Sequence, residues 1–101
     1  MAKNPTSAQN SALSGIEREL KGEQASSLGR HGREVERALD ALRSAADPDE
    51  ETRARLVAQA AEAVWRYFIQ REALGLRNHE LVIRSYAIPG EVLAKVGSGG
   101  L

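Results

Sequence analysis

An all-α fold is predicted by three features of this 101-residue chain. Its apolar residues include 16 alanines and 11 leucines against 6 valines and 4 isoleucines, a bias toward helix formers and away from strand formers. Two long stretches repeat apolar residues at three- and four-residue spacing, the period of a helix with an inward face. Proline and glycine fall between and after these stretches, at Pro48, Gly75 and Pro89-Gly90, where helices start and stop. The expected architecture is a long helical hairpin backed by two short C-terminal helices, pairing with a second chain into a four-helix bundle-like dimer.

Residues 1–12 are polar, contain Pro5 and read as a disordered lead-in; residues 13–96 form a single helical domain, and residues 97–101, rich in glycine, form a flexible tail. The first helical pattern runs from Leu13 to Ala46. At 100° per residue Leu13, Leu20, Gln24, Leu28, His31, Val35, Leu39 and Leu42 fall within about 120° of one another. Gly22, Gly29 and Gly32 interrupt the pattern at about 1 kcal/mol each relative to alanine, which leaves a kink or break between Gly22 and Gly32 open. The second pattern begins at Asp47-Pro48-Asp49-Glu50, read as an acidic N-cap at Asp47, proline at the first helical position and a capping-box glutamate. It runs to Leu74 and stops at Gly75, a left-handed C-terminal cap. These lengths give helices of about 30 and 27 residues, spanning roughly 45 and 40 Å.

One face of the second helix carries Leu56, Val57, Ala60, Ala63, Val64, Tyr67, Phe68 and Leu74. Nearly opposite lie Ala54, Ala58, Ala61, Trp65 and Ile69. A helix apolar on two sides needs two partners. The C-terminal helices, starting at Asn78 and Pro89 and carrying Leu81, Val82, Ile83, Tyr86, Val92, Leu93 and Val96, are expected to cover Trp65.

Function classes narrow by exclusion. The 14 basic and 14 acidic residues cancel, which argues against a protein built to neutralise phosphates or coat an acidic membrane. No cysteine is present, so thiol nucleophiles, disulfides and cysteine-ligated metals are excluded. No apolar run approaches the roughly 18–20 residues of a membrane span, and the N-terminus lacks the apolar core of a secretion signal, so a cytoplasmic protein is expected. No phosphate loop, nucleophile elbow or acid–base pair appears, so neither an enzyme nor a cofactor is expected.

The remaining motifs read structurally. Trp65, Tyr67 and Phe68 form an aromatic centre of packing rather than a binding platform. His31 and Gln24 sit seven residues apart on the apolar stripe of the first helix. The Glu-x-x-His signature of a di-metal bundle is absent, since Leu28 and Leu76 stand three residues before the two histidines, so no metal is expected and His31 serves helix register. Gly29-Arg30-His31-Gly32 has the G-x-x-G form of a nucleic-acid clamp but lacks that fold's strands, so it reads as a helix contact or interruption. Residues 78–96 have the outline of a helix-turn-helix, yet the second helix offers Lys95 as its one basic residue. Arg53 and Arg71 flank the apolar face of helix two, covering it with their stems or pairing with acids of helix one.

The segments Ala63-Val64-Trp65-Arg66-Tyr67-Phe68-Ile69-Gln70-Arg71-Glu72, Gly75-Leu76-Arg77-Asn78-His79 and Tyr86-Ala87-Ile88-Pro89 resemble an uncharacterised family of small proteobacterial proteins. The likeness extends back through Gly22-Glu23 and Leu28-Gly29-Arg30. It implies a bacterial cytoplasmic setting and no assigned activity. The sequence thus points to a non-enzymatic protein–protein interaction or scaffold module, homodimeric, with Leu28, His31, Val35, Trp65, Ile69 and Tyr86 as its candidate contact residues. The alternative is a nucleic-acid-binding protein using helices 78–96, although no nucleic-acid partner is expected from its charge.

Overall fold

The computed structural model describes residues 22–97, which form four helices and, among the described residues, no strand. They are α1 (Glu23–Ser44), α2 (Glu50–Ala73), α3 (Glu80–Ser85) and α4 (Gly90–Gly97). The all-helical hairpin with two short C-terminal helices is therefore as expected. The expected lead-in, Leu13, Leu20 and residues 98–101 lie outside the described residues. Helix α1 begins after Gly22, whose φ of 64° and ψ of −132° are open to glycine, and runs unbroken through Gly29 and Gly32. The break held open between Gly22 and Gly32 is thus absent from Glu23 onward, and the expected stretch before Gly22 lies outside the described residues.

Gly32 has a packing reason to be glycine. A Cβ there would lie 2.9 Å from the Tyr86 hydroxyl oxygen and 3.6 Å from the Tyr67 ring, so α2 and the α3 turn approach α1 at this point. At Gly29 a Cβ would meet one flexible arginine end at 3.4 Å.

The start of α2 differs from expectation. Its N-cap is Asp49, whose carboxylate accepts the Thr52 N–H at 2.7 Å, and not Asp47. Residues 45–49 reverse the chain, and Asp47 takes φ 47° to do so. That left-handed backbone cannot adopt the extended geometry a cap needs, which Asp49 has at φ −68° and ψ 168°. Pro48 then lies before the helix, and Thr52 takes the position assigned to a capping-box glutamate. Hydrogen bonds from the Thr52 side chain and then its backbone hold the Asp49 carboxyl below its ordinary value of 3.8. At its other end α2 closes as expected on Gly75, φ 85°: the Gly75 N–H bonds Glu72 O at 3.0 Å and the Leu76 N–H bonds Arg71 O at 2.9 Å.

The same closure recurs after α3 without a glycine. Ala87 sits at φ 51°, its N–H on Arg84 O at 3.1 Å, with the Ile88 N–H on Ile83 O at 3.0 Å. The core joins Leu28, Val35, Leu39 and Leu42 of α1 to Ala60, Ala61, Val64 and Tyr67 of α2, with Val82, Ile88 and Val92 closing it from the C-terminal side.

The two interior glycines of α1 predict opposite outcomes. Gly29→Ala should raise stability by about 0.5–1 kcal/mol through helix propensity. Gly32→Ala should lower it by about 1 kcal/mol, because the Tyr86 ring must shift. Chemical denaturation of both variants checks this. The Asp49 cap predicts a pH dependence whose sign follows from its depressed value. Its stabilisation is complete above 3.8 and lost as pH falls further. The melting-temperature gap between the wild type and Asp49→Ala should therefore hold steady down to about pH 4 and close below it.

Candidate functional site

The return of the chain after α2 decides which surfaces stay open. Arg71, in the last turn of α2, is buried at 4 % exposure. Its Nη2 donates to Asn78 O at 2.9 Å and its Nε to His79 Nδ1 at 3.2 Å. Because Nδ1 accepts, His79 carries its proton on Nε2, which faces Glu72 Oε2 at 2.9 Å. The imidazole also stacks on Phe68, with centroids 4.1 Å apart and planes 1° from parallel. Arg71 and Phe68 both lie on the core side of α2, so gripping residues 78–79 there draws α3 and α4 over the Val64–Tyr67 face.

This corrects the expected cover of Trp65. The C-terminal helices bury Val82, Ile88 and Val92 against the core and leave Trp65 39 % and Ile69 47 % exposed. Phe68 and the Schellman turn at Gly75 set the side on which the chain returns, and a helical wheel does not contain that information. Exposed Ala54 and Ala73 and half-buried Ala58 extend the outer face of α2, but Ala61, expected on the same stripe, is fully buried in the core.

The other predicted contact residues are placed differently. Leu28 and Val35 are fully buried within the hairpin. His31 is partly buried, with Nδ1 3.9 Å from a Glu34 carboxylate oxygen. Tyr86 is partly buried and meets Tyr67 edge-on, centroids 5.9 Å apart at 78°. Trp65 and Ile69 thus share one surface, while Leu28, Val35 and Tyr86 belong to the packed side. Arg53 pairs with Glu91 of α4 rather than with an acid of α1. Among the described residues Arg71 forms no ion pair, and its guanidinium lies 5.8 Å from the Tyr67 ring centroid.

A polar group that sequence reasoning missed joins α1 to the α3 turn: Arg43 Nη2 donates to Tyr86 O and Ala87 O, both at 2.8 Å. Glu36, Asp40, Arg84 and Ser85 line a cavity of about 280 Å³ beside it. The Phe68–Arg71–Glu72–His79 cluster was also missed as a unit. Its signal was the i, i+3, i+4 spacing of three chemically distinct groups just before a glycine stop. Among the described residues no three His, Asp or Glu side chains converge to hold a metal ion, and no helix is long and apolar enough to cross a membrane.

These features define a small all-helical protein in which, among the described residues, the exposed large apolar side chains sit together on the outer face of one helix. The chain belongs to a family of unknown function (DUF6665), whose model matches residues 5–100. No curated protein and no solved structure matches it. The family resemblance read from residues 63–89 falls inside the matched span.

The 39 % exposure of Trp65 predicts that, at low concentration, its emission lies to the red of a fully buried indole and is quenched by a soluble quencher. Trp65→Ala should cost less monomer stability than the about 3–5 kcal/mol of the fully buried Tyr67→Ala. Emission spectra and denaturation of the two variants check both statements.

Proposed function

We propose that this chain is a non-enzymatic protein–protein interaction module that pairs with a second copy of itself through the outer stripe of α2, in the bacterial cytoplasm that the family resemblance implies. The observation that carries this reading is the exposure of Trp65 and Ile69, one turn apart, where the other large apolar residues among the described ones are buried wholly or in part. Tryptophan is among the residues that most often anchor protein interfaces. Alanines at 54, 58 and 73 flank the pair and allow a second helix to approach closely.

An antiparallel two-fold centred near position 67 sets Trp65 against Ile69 of the partner subunit and repeats the contact by symmetry. The flanking acids already have partners within their own subunit: Glu62 with Arg66 at 2.7 Å and Glu72 with His79 at 2.9 Å. A net charge of zero leaves no long-range repulsion between copies. One helix stripe is smaller than the about 800 Å² per partner of a standard interface, so the pairing is expected in the micromolar range.

Light scattering at increasing concentration should approach twice the 10.9 kDa chain mass. Trp65→Glu should hold the mass at the monomer value, with an unchanged circular dichroism spectrum. A wild-type mass that stays at one chain refutes the pairing. A dimer indifferent to Trp65→Glu moves the interface elsewhere.

A further inference from the structure

Arg71 carries a buried charge that no carboxylate of the described chain touches directly. It is 96 % buried, taking its 4 % exposure from unity. Two of its nitrogens bond a neutral carbonyl and a neutral imidazole nitrogen, and Nη1 is buried with no partner. Among the described residues no carboxylate forms an ion pair with it: the nearest in sequence, Glu72, stands behind the neutral His79 ring, 2.9 Å from its Nε2. A buried guanidinium without a counter-charge is costly, and a paired anion relieves that cost.

Arg71 forms part of the wall of a cavity of about 330 Å³ beyond the Gly75 turn. Exposed Arg77 supplies a second cation at this cavity, Asn78 an amide, and Leu76 and Leu81 an apolar wall. We infer that this cavity binds a small monocarboxylate with a short apolar tail. The carboxylate balances the single buried charge of Arg71, Arg77 holds it from the exterior, and the tail lies against Leu76 and Leu81. One desolvated cation favours a monoanion, and a phosphate would set its hydrophilic oxygens against the two leucines. The site is separate from the Trp65 stripe and stands whether or not the chain pairs.

The test is an NMR titration of the full chain with sodium 3-methylbutanoate, at ionic strength held constant with sodium chloride. Amides of residues 75–81 and the Arg71 Nε–H should shift saturably, with a dissociation constant on the order of 1 mM for a ligand of this size. Arg77→Gln, a change at an exposed side chain, should weaken binding about fivefold without unfolding the protein. The neutral isostere 3-methylbutanamide should cause no saturable shift. A peptide ending in a leucine carboxylate, titrated in parallel, distinguishes a chain terminus from a free acid as the source, according to which binds more tightly. The inference is overturned by three results: equal binding of the amide, tighter binding of inorganic phosphate, or no saturable response to either carboxylate.

Discussion

Tyr67 is the side chain on which the rest of the molecule depends. It is fully buried in the middle of α2 and is the largest of the completely enclosed residues. Its ring touches the space above Gly32 on α1, meets Tyr86 edge-on at the end of α3, and lies beneath the Arg71 guanidinium. The absence of a Cβ at Gly32 lets α1 come close enough to close this contact. Edge-to-face aromatic geometry and a cation near the ring each add to the burial of the aromatic surface itself. Removing the ring would separate the hairpin from its C-terminal cover at one stroke, because both pack on the same atoms.

The cover itself is made of helices too short to stand alone, with six residues in α3 and eight in α4. Two arginines from the long helices compensate. Arg71 holds the approach to α3 through Asn78 O and His79, and Arg43 holds its exit through Tyr86 O and Ala87 O. Arg43 answers carbonyls that the C-terminal end of α3 would otherwise leave to water, and Arg71 a loop carbonyl just before its start. α3 is thus clamped at both ends by side chains distant in sequence, and α4 is tied back by Val92 and the Arg53–Glu91 pair.

Much of this was legible in the sequence. The apolar rhythm located α2, and Gly75 ended it, because a left-handed stop and a helical period are both local properties. The cap was placed two residues early because Asp47 and Asp49 are chemically equal, and only the reversal of the chain between the helices distinguishes them. The side covered by α3 and α4 was not legible. Angular position on α2 separates Trp65 from Val64, but the choice between the two faces is made by Arg71 and a backbone carbonyl at Asn78, and a carbonyl leaves no mark in a residue pattern. Leu28 and Val35, expected as contact residues, lie in the interior of the hairpin. Trp65 and Ile69 were read correctly as lying opposite the main core and incorrectly as covered.

The two ends built on left-handed residues differ in one respect: Gly75 reaches its conformation freely, whereas Ala87 holds φ 51° against its own Cβ. A side chain in that region costs about 1–2 kcal/mol, which the surrounding contacts must sustain. The elbow between α3 and α4 is therefore the place where the native state gives most cheaply. Opening there releases the strain and frees the Arg43 side chain, while the α1–α2 hairpin keeps its own contacts. A hinged detachment of α4 at this elbow is then a partial unfolding that leaves the long helices intact.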